Sequence, residues 1–319
     1  MTRILAVDPI PEPGLALLRK RPEFEIVDAR DVNDDALGNH MEEAEIILLR
    51  GRNIRPEHFD RARKLRFISR HGVGLDKVDM AQMQRLGVTV AVTADANYLS
   101  VAEHAMMLTL AGCRRVISAD HATRNGGWRS RIDTPTHELS GSTVLLLGFG
   151  RIGQTYAGLL SAFGCRISVY DPYLPEGATL PCGATRVQAL SDVLPEQDIV
   201  SLHMPLTDQT RNFIGADLLS RFREGAILVN TARGGVVDEA ALVGALDQGR
   251  PAIYATDVLA KEPPQPDDPL FSRSDVIVTP HSAALTQQGK LRMALGVAQN
   301  VLDFVDGKLA PHMIAFTPE

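Results

Sequence analysis

Residues Ser142 to Asp171, STVLLLGFGRIGQTYAGLLSAFGCRISVYD, constrain the fold more than any other stretch of this chain. Thr143 to Leu147 form a short apolar run of the length of a buried parallel strand. Gly148, Gly150 and Gly153 follow in G-x-G-x-x-G spacing. Apolar residues then recur helically through Ile152, Tyr156, Leu159, Leu160 and Phe163, until Gly164 stops the helix. Ile167 to Tyr170 give a second strand ending at Asp171. Each glycine has a physical role in a dinucleotide site. Gly148 allows the tight turn out of the strand. Gly150 lets backbone N–H groups approach a pyrophosphate at the positive helix terminus. Gly153 lets the helix pack closely on the sheet. Asp171 stands where a carboxylate accepts hydrogen bonds from a ribose diol and repels a 2′-phosphate. Pro172, Tyr173 and Leu174 bring no cation, so NAD is favoured over NADP, with Arg151 the nearby charge that works the other way. The competing reading is a βαβ turn without a ligand; strand, helix and acid agreeing with the glycines weigh against it.

The same rhythm runs through the rest of the chain. Strands are expected at Arg3 to Val7, Glu25 to Asp28, Ile46 to Leu49, Leu65 to Ser69 and Val88 to Val92. Helices are expected at Gly14 to Lys20, Pro56 to Ala62 and Met80 to Leu86. Alternating strands and helices imply a parallel α/β layer before the glycine motif begins. A long apolar helix from Val101 to about Val116 follows, rich in Ala and Met. Its composition implies burial on several faces, across domains or against a second subunit, and hence a homodimer. The crossover between domains is placed near Leu99. After Asp171, strands are expected at Ile199 to His203, Ala226 to Asn230, Ala252 to Thr256 and Val276 to Thr279. A helix from Leu285 returns to the first domain and makes it discontinuous. The expected division is residues 1–98 with 285–319, and residues 99–284 between them.

Composition excludes several function classes. A length of 319 residues suits about two domains. A net charge of −6 without a basic cluster argues against a nucleic-acid surface. Cys113, Cys165 and Cys182 lack C-x-x-C spacing, which fits a reducing cytoplasm without a disulfide framework or metal site. No stretch is apolar enough to span a membrane. MTRILAVDPI reads as a first strand, with no signal peptide.

Ligands of open α/β sheets bind beyond the carboxyl ends of the strands, which is where Arg233, Asp257 and His281 fall. Converting a ketone to an alcohol by hydride transfer needs a proton donor, and a histidine suits it. A carboxylate on the other ring nitrogen fixes the tautomer and raises the pKa; Glu262 can do this. The Arg233 guanidinium can hold a 2-oxo acid through two parallel bonds. Taken singly, each has a plainer reading: a capping histidine, a solvated loop acid, a surface ion pair. All three falling at the cofactor's end of one sheet favour the chemical reading.

Seven segments carry a family resemblance: RHGVGLDKVD (Arg70 to Asp79), NYLSVAEHAM (Asn97 to Met106), LLGFGRIGQ (Leu146 to Gln154), HMPLTDQTRNFIG (His203 to Gly215), LVNTARGGVVDEAAL (Leu228 to Leu242), ATDVLAKEPP (Ala255 to Pro264) and VTPHSAA (Val278 to Ala284). Together they resemble the D-isomer-specific 2-hydroxyacid dehydrogenases, in that family's order and across most of the chain. The resemblance is to the short hydroxypyruvate reductase and phosphoglycerate dehydrogenase-like forms, without a regulatory domain after Glu319.

The resemblance implies two doubly wound parallel-sheet domains, a Rossmann-like NAD-binding domain inserted into a discontinuous flavodoxin-like substrate domain. It implies His281 as acid/base, Glu262 as its partner and Arg233 as the anchor of the substrate carboxylate. Val73 and Gly74 match a loop whose N–H groups hold that carboxylate, and Arg50 a position that reaches the site in some members. For the cofactor it implies Gly148, Gly150, Arg151, Ile152, Gly153 and Asp171, then His203, Pro205, Thr231, Ala232 and Asp257, with Arg233 and His281 beside the nicotinamide. Thr256 and Leu285 depart from the usual residues and leave pocket shape open. The implied substrate is a small D-2-hydroxy acid or its 2-oxo acid, of the glyoxylate or hydroxypyruvate kind. Arg50, Arg52 and Arg70 either read a second negative charge on it or are solvated cations. Formate is disfavoured, because formate dehydrogenases of this fold carry Gln where Glu262 stands. Phosphite oxidation and a non-catalytic NAD-sensing module are the alternatives.

Overall fold

The apolar runs of the sequence become the strands of two separate sheets. In a computed structural model describing residues 1–76, 78–129 and 135–318, the chain divides into Met1–Asn97 with Leu285–Glu319, and Tyr98–Ala284. The first unit begins with β1 (Thr2–Ala6), α1 (Glu12–Leu18), β2 (Phe24–Asp28), α2 (Asp34–Glu43) and β3 (Ile46–Leu49). It continues with α3 (Pro56–Arg61), β4 (Phe67–Arg70), α4 (Met80–Leu86) and β5 (Thr89–Val92). Helix α2 is absent from the sequence reading. Asn33 caps it by accepting from the Ala36 N–H at 2.9 Å, and Asp34 and Asp35 stand in its first turn.

The second unit opens with α5 (Tyr98–Arg114) and α6 (Val116–Arg124). The helix expected from Val101 to about Val116 is α5, which starts earlier and ends at Arg114, and α6 is a further helix that the sequence does not announce. Arg115 between them takes a left-handed φ of 47°, which ends the first and starts the second. Next come β6 (Thr143–Leu147), α7 (Arg151–Ala162), β7 (Arg166–Tyr170), β8 (Thr185–Arg186), α8 (Leu190–Val193) and β9 (Ile199–Leu202). The unit closes with α9 (Ala216–Ser220), β10 (Ile227–Asn230), α10 (Glu239–Asp247), β11 (Ile253–Thr256) and β12 (Val276–Val278). Its strand order is β12-β11-β10-β9-β6-β7-β8, all parallel. The order reverses between β6 and β9, the switch point where doubly wound sheets bind dinucleotides. Alternate residues of β6 feed opposite layers. Val144 and Leu146 pack with α5 and α7 residues such as Ala105, Tyr156 and Leu160, while Leu145 and Leu147 join Leu219, Leu242 and Leu246. All four are fully buried, and each such side chain contributes about 1.5–3 kcal/mol.

The chain re-enters the first unit through α11 (Gln287–Val305) and β13 (Ile314–Phe316). That unit's order is β13-β5-β4-β3-β1-β2, parallel except for β13 on β5. The five parallel strands have the flavodoxin-like order, with the switch between β1 and β3. Val297, Ala298 and Val301 of α11 cover the face formed by Ile4, Ile46, Leu48 and Phe67. Among the described residues, no helix is long and apolar enough to cross a membrane.

Candidate active site

The dinucleotide motif lies at the switch point of the second unit. Gly148 follows β6 with φ 96°. A Cβ there would stand 2.7 Å from the carbonyl oxygen of His203, just beyond β9, so only glycine fits. Gly150 is the N-cap of α7, and among the described residues no side-chain cap hydrogen bond is made there. The space beside Gly150 is open to 4 Å. Arg151, Ile152 and Gly153 form the first turn of α7. Open space over an uncapped helix N-terminus is what a pyrophosphate requires. Asp171, after β7, accepts from the Phe149 N–H at 2.8 Å and the Tyr173 N–H at 2.9 Å. The Phe149 bond ties the carboxylate to the glycine loop, and both oxygens keep lone pairs for a ribose diol.

Two polar atoms nearby point the same way. Among the described residues Thr231 Oγ1 and His203 Nδ1 are buried without a hydrogen-bond partner, a costly state unless a ligand supplies one. His203 Nε2 lies 3.0 Å from Ser201 Oγ, and burial pushes the ring down to about 3, so it is neutral. The glycines, Asp171 and these two atoms fit a dinucleotide. The strand ends beyond it carry Pro205, Thr231 and Ala232.

His281 follows β12 with φ 50°, a strained conformation for a residue with a side chain. Asp257, at the end of β11 and 1% exposed, holds that turn. Its carboxylate accepts from Thr279 Oγ1 at 2.6 Å, Ser282 N–H at 2.9 Å and Ala283 N–H at 2.8 Å. Its carbonyl accepts from His281 N–H at 2.8 Å. The ring Nδ1 lies 2.6 Å from Glu262 Oε2, while Glu262 Oε1 accepts from Leu259 N–H at 3.0 Å. The Glu262 bond raises the His281 pKa above the ordinary imidazole value, against burial and the Arg233 charge. Burial pushes the Glu262 carboxyl up, but the His281 and Leu259 bonds outweigh it and hold the group below its usual range. With Nδ1 facing Glu262, Nε2 is the nitrogen left for a substrate.

Arg233 follows β10 and its Nη1 donates to the Ala232 carbonyl at 2.7 Å. Its charge acts on both His281 and Glu262. Buried Asn230 braces this turn, its Nδ2 donating to the Arg233 carbonyl at 3.0 Å and its Oδ1 accepting from Ala232 N–H at 3.0 Å. His104 on α5 is a further member. Its Nε2 lies 2.9 Å from Thr279 Oγ1, whose proton goes to Asp257, so His104 Nε2 donates. Neither Asn230 nor His104 was marked by the sequence reading. Their one sequence signal is their place in LVNTARGGVVDEAAL and NYLSVAEHAM.

In the first unit, the N–H groups of Val73 and Gly74 have no acceptor among the described residues. Lys77, in the same segment, lies outside the described residues. The three arginines divide. Arg52 donates to the Ala29 carbonyl at 3.1 Å, the Val32 carbonyl at 2.7 Å and Asp34 at 2.9 Å. Arg70 donates to the carbonyls of Gly74 at 2.9 Å and His71 at 3.2 Å, and also to that of Arg50. Both are braces of the loops. The Arg50 backbone N–H donates to Asp8 at 2.6 Å, but its guanidinium has no partner among the described residues. Burial, together with the Arg50 and Arg70 charges, pushes neighbouring His71 down to about 4. Among the described residues no cluster of side chains suits a metal ion.

With this geometry in hand, comparisons with known proteins are specific. Residues 106–283 match the model of the D-isomer specific 2-hydroxyacid dehydrogenase NAD-binding domain. The chain is 34% identical to D-3-phosphoglycerate dehydrogenase of Methanocaldococcus jannaschii over 98% of its own length and 59% of that protein's. It therefore spans less than two thirds of that relative. It is 40% identical to glyoxylate reductase of Aeropyrum pernix over 79% of its length and 77% of the relative's. Among solved structures, NAD-dependent formate dehydrogenase of Staphylococcus aureus in complex with NAD superposes with a TM-score of 0.86. It is 27% identical, and the match covers 100% of both chains.

Proposed function

The chain belongs to the D-isomer-specific 2-hydroxyacid dehydrogenase family, and from that premise we propose that it is an NAD-dependent oxidoreductase of small D-2-hydroxy acids. The observation that carries the reading is the Glu262–His281 pair at 2.6 Å, with the Arg233 charge acting on both. Reduction of a 2-oxo acid needs a proton at the oxygen as hydride arrives at C2. His281, its pKa raised by Glu262, holds that proton on Nε2 and releases it to the developing alkoxide. Arg233 holds the substrate carboxylate, and the family resemblance gives carboxylate-donor roles in the first unit to the N–H groups of Val73 and Gly74, which have no acceptor among the described residues. Bound NADH supplies the hydride. The glycine loop, Asp171 and the open N-terminus of α7 bind and orient that cofactor, with NAD preferred over NADP because Asp171 repels a 2′-phosphate.

The substrate is of the glyoxylate or hydroxypyruvate kind, or a dianionic analogue. Arg50 supports the dianionic version, since of Arg50, Arg52 and Arg70 it is the one whose guanidinium has no partner among the described residues. The protein acts as a cytoplasmic homodimer in this reading. Support for the dimer comes from α6, which buries none of its residues while Val116 and Ile117 are exposed. Sedimentation of the pure protein tests it, a monomer at working concentration being the contrary result.

The activity test follows NADH consumption with glyoxylate, hydroxypyruvate, pyruvate, oxaloacetate, 3-phosphohydroxypyruvate and sulfopyruvate, with His281→Ala as control. Turnover that disappears in the variant is the expected result. NADH binding without turnover of any acid would overturn it, and would favour phosphite oxidation or an NAD-sensing role.

A further inference from the structure

One carboxylate beside the site has no part in the reaction so far. Glu239, the first residue of α10, is half-buried, and its Oε1 accepts from the Ala260 N–H at 2.8 Å. The neighbouring N–H, that of Leu259, goes to Glu262 Oε1 at 3.0 Å. Two carboxylates thus hold consecutive N–H groups of one turn. A third element presses on the same place. A Cβ on Gly234 would lie 1.9 Å from the Leu259 carbonyl carbon and 2.2 Å from the Ala260 nitrogen. The Leu259–Ala260 peptide therefore lies directly against the backbone that follows Arg233. It is the physical link between the residue assigned to the carboxylate and the acid that orients His281.

We propose that Glu239 is a positioning residue of the reaction: it holds the Leu259–Ala260 turn in place, and that turn fixes Glu262 against His281. The proposal rests on the dehydrogenase reading above. The logic is one of shared geometry. Glu262 has two oxygens, one on the turn and one on the ring, so a shift of the turn moves the oxygen that the ring uses. Small displacements of catalytic groups are costly in rate. Glu239 never touches substrate in this arrangement; it acts through two peptide groups and Glu262.

The charges around the pair are few. Glu262, Asp268 and Tyr254 face Glu239, and Glu262, Arg233 and Asp257 face His281. Burial, with the Asp268 and Glu262 charges, raises the Glu239 carboxyl against its bond from Ala260. Charge and reach are therefore both candidate causes of any effect, and the variants must separate them. Glu239→Gln keeps an oxygen at the same reach and loses the charge. Glu239→Asp keeps the charge and is one methylene too short. Glu239→Ala loses both.

Two readouts decide the matter. The first is the titration of the His281 ring by NMR in the protein without substrate, assigned by its absence in His281→Ala. The second is kcat and KM against pH on the 2-oxo acid the enzyme reduces best. Positioning predicts that Ala and Asp variants titrate His281 at lower pH and lose about tenfold in kcat, with KM within about twofold. Gln restores both towards the parent. An unchanged ring titration in Glu239→Ala and Glu239→Asp would overturn the proposal. So would a Gln variant that behaves like Ala while Asp behaves like the parent, because charge would then be the cause. If Glu239→Ala does not fold, the Gln and Asp pair alone decides. The NMR arm needs no turnover, so absence of any dehydrogenase activity would sink the functional reading and still leave this inference tested.

Discussion

Glu262 divides its carboxylate between the Leu259 N–H and the His281 ring, with Oε2 at 2.6 Å from Nδ1. The bond favours the protonated ring and raises its pKa. In the proposed reduction His281 carries the proton, so activity is expected to be full below the folded pKa and to fall as pH rises through it. Glu262→Gln removes the charge that raises that value. The alkaline limb of kcat/KM for reduction is expected to move to lower pH, and so is the acid limb for oxidation, which needs the neutral ring. Profiles measured in both directions check this, and limbs that stay in place would refute the assignment.

Arg233 stands one residue before a glycine that allows no side chain and one residue after a carbonyl that accepts from its own guanidinium. Its direction is thereby set by the backbone. Arg233→Ala is expected to lower kcat/KM for a 2-oxo acid by about 10²- to 10³-fold. NADH binding, read by fluorescence, is expected to change little. Loss of NADH binding in parallel would mean that the guanidinium serves the cofactor.

Asp171 holds the glycine loop through the Phe149 N–H and its own turn through the Tyr173 N–H, and in the proposed reading it also takes the ribose diol. Asp171→Ala is expected to weaken NADH about tenfold and to narrow the preference for NADH over NADPH. Binding titrations with both cofactors test it. An unchanged ratio would show that the carboxylate does not discriminate at the 2′ position.

Gly234 and Gly235 make a matched pair for a packing test. A Cβ at Gly234 meets the Leu259–Ala260 backbone at 1.9 Å, whereas one at Gly235 meets the Leu206 side chain at 3.2 Å. A side-chain end can move and a packed peptide cannot. Gly234→Ala is expected to cost about 3 kcal/mol and most of the activity, with Gly235→Ala much milder. Denaturant unfolding of both variants provides the comparison.

Much of the fold was legible because buried parallel strands write themselves as apolar runs. Thr143–Leu147 and Ile46–Leu49 have the bounds their sequences suggest. What was missed has weak local contrast. Helix α2 buries only Leu37, Gly38 and Met41 among polar neighbours, and its cap at Asn33 was its one clear signal. Helix α10 begins with an Asp238 cap on the Ala241 N–H, but it buries only Leu242 and Leu246 and so has weak apolar contrast. The break at Arg115 is carried by neither glycine nor proline, so nothing local announces it. At the site, the residue types suited to proton transfer and anion binding were readable. The Glu262–His281 partnership was readable too, but others were not: that Arg52 and Arg70 are spent on carbonyls, or that Glu239 and Glu262 share a turn, depends on contacts set by the tertiary fold.

Arg50 and Arg52 sit two residues apart beyond β3, and their backbones both donate to Asp8, yet their side chains have different work. The Arg52 guanidinium satisfies two carbonyls and Asp34. Removing it leaves the Val32 carbonyl without this donor, while the Ala29 carbonyl keeps the Val32 N–H at 3.2 Å, and Arg52→Ala is expected to cost about 1–2 kcal/mol of stability. Arg50 carries a guanidinium with no partner among the described residues, so Arg50→Ala is expected to leave stability within about 0.5 kcal/mol. If the substrate has a second anionic group, losing the Arg50 charge lowers kcat/KM for the dianion and spares the monoanion. The ratio of 3-phosphohydroxypyruvate or sulfopyruvate to glyoxylate is expected to fall about tenfold or more in Arg50→Ala, with the ratio in Arg52→Ala unchanged. Equal losses on both kinds of acid would assign Arg50 to the common carboxylate instead. No loss on either would make it a solvated cation and leave the monoanionic substrates as the better reading.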